Sequence, residues 1–277
     1  MFTLLTGLLS SFSYVTSDML SQRVVRIAHP LRVVFCVLAV GVVLIVPATL
    51  LIEGLPRGDD QWRSAAVAAL SGVVYVAAYF ALLAGLRRGD LSVVTALVAL
   101  ECAFTAAFAI AGGERVTALV AVGLVLAVIG GVLASLQGRT KSAAGAGWGL
   151  AAAFLFAVVV VLYDHSQTLP ALSIAAVSRV SSFIVTVPLA LAVARGVAVD
   201  RRNARLLAGA GGLEALGLVL ASLSVAAGPL VVAGVAVSQF AVFGLLLGLV
   251  VLHERPRPHQ LVGVAFTIVA VSTLAVA

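Results

Sequence analysis

Charged residues are scarce in this 277-residue chain. Asp, Glu, Lys and Arg make up 10% of the sequence, whereas a soluble domain carries about 25%. The chain is also 62% hydrophobic, with a mean hydropathy of +1.21. A soluble core cannot bury so much apolar surface, so lipid must cover much of it. The composition therefore excludes a soluble globular protein and predicts an integral membrane protein.

The net charge of +6 does not indicate a nucleic-acid-binding surface. Almost all of the basic residues lie in short connections between apolar runs. This distribution is typical of the signals that orient membrane proteins in the bilayer. We therefore expect the lipid bilayer to be a partner of the chain, and nucleic acid not to be one.

The sequence has few residues that could hold a metal or a cofactor. Two cysteines, Cys36 and Cys102, lie inside apolar runs without CxxC spacing, and the four histidines show no paired-ligand pattern. A glycine-rich phosphate loop and a Ser/His/Asp grouping are both missing. We predict no metal site, no cofactor and no enzymatic activity. The first alternative to a transporter is a channel or membrane sensor. An integral-membrane enzyme is less favoured than either.

Ten apolar runs fill the chain, most of them close to the roughly 20 residues that a helix needs to cross the hydrocarbon. Their residues do not alternate as those of barrel strands do, and lipid tolerates no unpaired backbone. We therefore predict an all-α integral membrane protein. Its ten transmembrane helices are predicted at residues 2–20, 30–52, 64–86, 91–111, 116–136, 143–163, 171–194, 206–227, 229–252 and 261–277.

The second five runs repeat features of the first five at offsets of 139 to 142 residues. In the same order along both halves, the matching features are Gly7-Leu8 with Gly149-Leu150, Val46-Pro47 with Val187-Pro188, Gly89 with Gly228, and Glu114-Arg115 with Glu254-Arg255. The pattern predicts two five-helix repeats, residues 1–138 and 143–277. Membrane transporters commonly bind their substrate between two such repeats.

Each half ends with a Glu-Arg pair that leads into a helix containing glycine, and this arrangement resembles the EamA-type family of the drug/metabolite transporter superfamily. The second half carries the closer resemblance, through Arg179, Gly228-Pro229-Leu230, Gln239, Glu254-Arg255, Gln260 and Gly263. In the first half, Asp90 stands where the pattern has proline. The resemblance implies two inverted five-helix repeats around a central cavity, and alternating-access transport of small metabolites, amino acids or drugs, often outward and coupled to protons.

Basic residues are concentrated on one side of the predicted topology. The odd-numbered connections carry 13 of them and the even-numbered connections carry three. The positive-inside rule then places the odd connections in the cytoplasm and both termini outside. The resemblance implies the opposite orientation, because both termini of this family are usually cytoplasmic.

Three ionisable residues fall near the middle of predicted spans, where a charge costs a few kcal/mol. Glu101 is the leading candidate for a proton-coupling carboxylate, because burial favours its neutral form. A packing role is the alternative. Arg179 and Glu214 have opposite charges and lie on consecutive spans, so either a structural ion pair or a substrate contact would explain them. Asp18, near the end of the first span, is interpreted as interfacial.

Polar and aromatic residues at equivalent depth in the two halves are candidates for lining a central cavity. In the repeat alignment, Tyr75 lies opposite Glu214, and Glu101 lies near Gln239. The predicted cavity-lining residues are Tyr14, Tyr75, Tyr79, Phe156 and Gln239. Glu114 and Glu254 end apolar runs and are interpreted as helix-end anchors.

The resulting hypothesis is a secondary active transporter in a bacterial plasma membrane, crossing it many times. Its partners would be a small-molecule substrate, protons and lipid. Small residues at four-residue spacing, such as Gly145 and Gly149, suit close helix packing. This packing is compatible with a monomer or with a homodimer.

Overall fold

The computed structural model describes residues 1–88, 94, 97–135, 145–193, 199–251 and 257–276. Glu254-Arg255, His253, Gly89 and Asp90 lie outside these ranges. Within them the chain is all-helical, without strands. The helices are α1 Phe2–Val25, α2 Pro30–Ile52, α3 Gly58–Arg88, α4 Glu101–Ala111, α5 Ala118–Ser135, α6 Ala146–Asp164, α7 Ala171–Ala192, α8 Arg201–Ala226, α9 Leu230–Val237, α10 Phe240–Val251 and α11 Pro258–Val276.

Among the described residues, six segments are long and apolar enough to cross a membrane. They are α2, α3, α6, α7, α8 and the segment Leu230–Leu247, which joins α9 to most of α10. Shorter apolar helices occur at Glu101–Ala111, Ala118–Leu133 and Pro258–Leu274. The first predicted span is not among these segments, although α1 has 24 residues. Helix length and apolarity therefore identify fewer than the ten predicted spans.

Helix α1 differs from the others because it is rich in serine and threonine, and these side chains are buried. Ser10 donates to the carbonyl of Gly217 at 2.7 Å, and Ser17 donates to that of Ala210 at 2.8 Å. From the other side, Ser224 donates to the carbonyl of Thr3 at 2.7 Å. Helix α1 is thus attached to α8 by polar contacts between helices, which are typical of association in lipid.

Close contacts between helices occur in pairs. Within a pair, the second contact joins the positions that are equivalent to those of the first, with the two halves of the chain exchanged. A Cβ at Gly7 in α1 would lie 2.5 Å from Ala236 Cβ, and a Cβ at Gly149 would lie 3.2 Å from Leu97 Cβ. Because Gly149 corresponds to Gly7 and Leu97 to Ala236, the second contact repeats the first. Such reciprocal contacts are the signature of a two-fold relation.

A second pair of contacts follows the same rule. Gly72 in α3 packs against the backbone of Ser178 in α7. Its counterpart Gly211 in α8 packs against α2, where a Cβ would lie 2.6 Å from Val40 Cβ. The absence of a side chain at both glycines lets the two helices approach closely.

The ninth predicted span corresponds to the candidate membrane segment Leu230–Leu247, but this segment is not one continuous helix. A turn at Ser238 and Gln239 separates α9 from α10. Ser238 Oγ donates to the carbonyl of Val235 at 3.2 Å, and Gln239 Nε2 donates to the same carbonyl at 2.7 Å. Polar side chains that bond to nearby carbonyls compete with the regular helix ladder.

The fourth predicted span has an interruption at the equivalent place. Ala99 and Leu100 form a turn, and α4 begins at Glu101. The backbone bonds there are of the tighter three-residue type, from Leu100 to Leu97 at 3.1 Å and from Ala103 to Leu100 at 3.0 Å. Residues 99 and 100 correspond to 238 and 239, so both halves carry the same break.

Candidate functional site

Arg179 and Glu214 form an ion pair inside the helix bundle. Arg179 extends from α7 and Glu214 from α8. Arg179 Nη2 lies 2.6 Å from each of the two carboxylate oxygens. The exposed fractions of the two side chains are 1% and 2%. A charge buried so deeply is tolerated because the opposite charge is in contact with it.

Tyr75 completes this group from α3. Its hydroxyl donates to Glu214 Oε1 at 2.5 Å, and the Arg179 guanidinium lies 5.4 Å from the centre of its ring. Tyr75 and Glu214 are 139 residues apart, which is the offset of the repeats. Two equivalent positions can touch only close to the axis that relates the halves. The Arg179–Glu214–Tyr75 cluster therefore lies at the interface of the two repeats.

Aromatic side chains surround the cluster. The ring of Tyr75 is 5.8 Å from that of Tyr79 and 5.9 Å from that of Phe156. Tyr14 packs against Gly217 in α8, and it is close enough to Glu214 and Arg179 for their charges to act on its hydroxyl. Four of the five predicted cavity-lining residues, Tyr14, Tyr75, Tyr79 and Phe156, thus lie around one ion pair.

Several hydroxyl groups that the sequence did not single out extend the cluster. Ser178, next to Arg179 in the chain, accepts from Ser71 at 3.1 Å and lies 3.3 Å from the Tyr163 hydroxyl. On the opposite side, Tyr79 donates to Ser21 at 3.3 Å. Serines at these positions look like ordinary packing residues in the sequence. Only the crossing of α3, α6 and α7 brings them together.

Asp18 lies closer to the cluster than its position in the sequence suggested. It is half-buried in α1, about one turn before Ser21, which accepts from the Tyr79 hydroxyl at 3.3 Å. We had interpreted it as interfacial because it falls near the end of the first predicted span. Helix α1 continues to Val25, so Asp18 lies about two turns before its end.

Arg179 has more donors than partners. Its Nε and Nη1 atoms are buried, and neither has a hydrogen-bond partner among the described residues. These two nitrogens carry three N–H groups. A buried donor without a partner costs about 1–3 kcal/mol. The cluster is therefore charge-balanced but incompletely hydrogen-bonded.

Glu101 stands apart from this cluster, at the interruption of the fourth predicted span. It is the first residue of α4 and is 1% exposed. Its Oε2 atom and the hydroxyl of Thr105, one turn later, have no partner within the part of the chain that the structure describes. A carboxylate that is buried without a counter-charge favours its protonated form. Glu101 is therefore a buried carboxyl group with one oxygen that has no hydrogen-bond partner among the described residues.

The two interrupted helices meet face to face. Thr105 in α4 packs against Gly234 in α9, where a Cβ would lie 2.6 Å from Thr105 Cγ2. Cys102 interacts with Ser238 one turn further along. Gln239 is buried at this crossing with its amide bonded to its own helix. Of the predicted cavity-lining residues, Gln239 thus belongs with Glu101 and not with the ion pair.

Glu114 joins the two halves at a helix end. Its carboxylate accepts from the backbone N–H groups of Leu230 at 3.1 Å and Val231 at 3.3 Å, the first residues of α9. Acceptors at a helix N-terminus satisfy donors that the helix leaves open.

Among the residues described, no group of three or more His, Cys, Asp or Glu side chains is arranged to hold a metal ion.

The two halves of the chain each match the same family. Residues 1–136 and 143–276 match the sequence model of the EamA-like transporter family. The chain belongs to the EamA-like transporter family. This family is part of the drug/metabolite transporter superfamily. Membership and the apolar helices together indicate a multi-pass membrane transporter with an internal repeat.

Several solved structures are similar to this EamA-like protein, among them a crystal structure described as a protein without further detail. It aligns with 99% of the present chain and 96% of its own, with a TM-score of 0.80 and 14% sequence identity. Identity this low carries information on the fold alone. No match was found among curated proteins.

Proposed function

We propose that this EamA-like protein is a secondary active transporter that exports a small metabolite, amino acid or drug across a bacterial plasma membrane. The two repeats move against each other, so that a solute bound between them is open to one side at a time. Two observations support this mechanism. The reciprocal glycine contacts relate the halves by a two-fold axis, and each half has an interrupted helix at the same position. Interrupted helices at corresponding positions of two repeats are common in secondary transporters.

The solute site is proposed at the aromatic cluster, where Tyr14, Tyr75, Tyr79 and Phe156 surround the ion pair. Ligand sites of this kind combine apolar walls with a few polar groups that fix orientation. The cluster includes residues from both repeats. A solute bound there would contact both moving parts.

Transport is proposed to be coupled to protons through Glu101. The observation that carries this proposal is the unpartnered Oε2 of a carboxyl group that is 1% exposed. A proton added to Glu101 removes a buried charge. Its removal restores the charge at the N-terminus of α4, which favours negative charge. The two protonation states would therefore favour different arrangements of the crossing between α4 and α9.

Proteoliposomes under an imposed pH gradient test the proposal. The protein is reconstituted with a panel of labelled amino acids, nucleosides and cationic drugs, and solute efflux is followed with and without the gradient. Gradient-driven, saturable efflux that disappears in Glu101→Gln is the expected result. Glu53→Gln is the matched control, because Glu53 lies at the end of α2 and accepts from Ser173 at 2.5 Å.

Different results contradict different parts of the proposal. Gradient-driven flux that persists in Glu101→Gln would remove Glu101 from coupling. Saturable flux that ignores the gradient would leave a uniporter. Flux that rises linearly with solute concentration would instead indicate a channel.

A further inference from the structure

The guanidinium of Arg179 is only partly used by the protein. Both carboxylate oxygens of Glu214 lie at the same nitrogen, Nη2. A purely structural Arg–Glu pair commonly engages two nitrogens in a parallel fork. Here Nε and Nη1 have no partner among the described residues, and the whole side chain is 1% exposed. The unpaired donors therefore face the protein interior, where they can serve a bound ligand.

The absence of a side chain at Gly41 makes room for the guanidinium itself, which packs against α2. A Cβ at Gly41 in α2 would lie 2.8 Å from Arg179 Nε and 2.9 Å from its Cδ. Aromatic rings complete the surroundings, with Tyr75 beneath the guanidinium and Phe156 beside Tyr75. Donors that fit an oxoanion thus adjoin walls that fit an apolar or aromatic group.

Charge balance limits what can bind at this place. Among the described residues, Arg179 is the only buried basic side chain. The titratable groups that face Glu214 from the helices packed around it are Tyr14, Asp18, Tyr75, Tyr79, Tyr163 and Arg179. One buried cation can neutralise one carboxylate. A second anion would therefore have to compete with Glu214.

We propose that Arg179 is the binding subsite for the carboxylate of an aromatic or apolar organic acid, and that Glu214 is the internal counter-ion that this carboxylate displaces. The proposal rests on the proposed transport function and names the chemical class of its solute. In the ligand-free protein, Glu214 and the Tyr75 hydroxyl keep the site neutral. When the solute carboxylate contacts Arg179, Glu214 takes up one proton from the aqueous phase, so the site keeps one cation and one anion.

Thermal unfolding of the purified protein in detergent, with benzoate as the probe, tests this competition. Benzoate should raise the Tm of the wild type, and benzamide, its neutral analogue, should not. Glu214→Gln removes the competing charge and keeps the shape. It should lower the benzoate concentration at half-maximal stabilisation about tenfold, as expected from a close charge pair. Glu53→Gln should behave like the wild type.

Two further variants keep the test independent of folding defects. Arg179→Gln combined with Glu214→Gln leaves no buried charge at the site, so it should fold and lose the benzoate effect. Gly41→Ala crowds the guanidinium without changing any charge and should weaken benzoate binding. Benzoate stabilisation that survives in the double variant would overturn the proposal, and so would a Glu214→Gln protein that binds benzoate no better than the wild type.

Binding and transport can fail separately in these experiments. The unfolding measurement uses protein without a gradient, and the export assay uses liposomes. If benzoate stabilises the wild type, and stabilises Glu214→Gln at lower concentration, but no flux is measured, the transport function alone would be contradicted. Normal gradient-driven flux without benzoate competition would contradict the anion subsite alone.

Discussion

Two buried carboxylates in this protein have opposite surroundings. Glu214 contacts Arg179 and Tyr75, which come from two other helices. Glu101 is equally buried, yet its Oε2 contacts no polar group within the described residues. A counter-charge holds a carboxylate in its ionised form, whereas burial alone favours the protonated form. Depth in the bundle therefore does not determine the role of a carboxylate; its partners do.

The local backbone differs as well. Glu214 is in the middle of the long regular helix α8, where neighbouring turns hold its direction. Glu101 begins a short helix after a turn, opposite the matching turn at Ser238 and Gln239. An interrupted helix rearranges with less loss of backbone hydrogen bonding than a regular one. The rigid site thus suits binding, and the interrupted one suits movement.

The largest effect on stability should come from removing one partner of the ion pair. Arg179→Leu leaves the charge of Glu214 without its counter-ion, and such a loss costs about 3–5 kcal/mol. Adding Glu214→Gln to that variant should restore most of the stability. Unfolding in mild detergent measures both proteins. Equal stability of the single and double variants would show that the pair has no energetic role.

A smaller effect is expected from Tyr75→Phe. This change removes one hydrogen bond to a charged oxygen, which costs about 1.5–3 kcal/mol, and keeps the ring beneath Arg179. The same unfolding measurement applies. Tyr79→Phe is the matched control, because the Tyr79 hydroxyl lies 3.3 Å from an uncharged serine. If both variants lose the same free energy, the bond of Tyr75 to Glu214 has no special weight.

Proton uptake on binding sharpens the comparison. If a solute carboxylate displaces Glu214, titration with benzoate should take up about one proton per molecule bound, because a shift in protonation between states appears as proton linkage. Isothermal calorimetry in buffers of different ionisation enthalpy measures the number. In Glu214→Gln the uptake should fall to about zero. Unchanged uptake in that variant would assign the proton to another group.

The smallest effect on stability is expected at Glu101. Glu101→Gln breaks no hydrogen bond of Oε2 among the described residues and removes no ion pair, so the free energy of unfolding should change by less than about 1 kcal/mol. Glu101→Gln should therefore unfold almost like the wild type in detergent and yet lose gradient-driven flux in liposomes. A loss of stability similar to that of Arg179→Leu would identify Glu101 as a structural residue with a partner of its own.

Much of the site was predictable from charge and from the repeat. Arg179, Glu214 and Glu101 stand out because ionisable residues are costly inside apolar runs. The repeat alignment placed Tyr75 opposite Glu214, and the two side chains contact each other. Ser178, Tyr163 and the proximity of Asp18 were not predictable, since their importance depends on how α1, α3, α6 and α7 cross.

The interruptions show the limit of sequence patterns most clearly. Residues 229–252 form one apolar run, and apolarity alone does not reveal that Ser238 and Gln239 turn back onto the carbonyl of Val235. Local hydrogen bonds of this kind compete with the helix only when the surrounding packing permits them.

The sequence by itself determined that the chain is a helical membrane protein made of two repeats, because composition and periodic recurrence are properties of the chain alone. It also singled out Arg179, Glu214 and Glu101 as charged groups inside the apolar runs. Only the tertiary structure decided which of those groups are paired. Pairing depends on distances of a few ångströms between helices far apart in sequence, and side-chain directions set those distances after packing. For that reason, among the described residues, Glu214 has a counter-ion, Glu101 Oε2 has no hydrogen-bond partner, and Arg179 keeps two nitrogens without one.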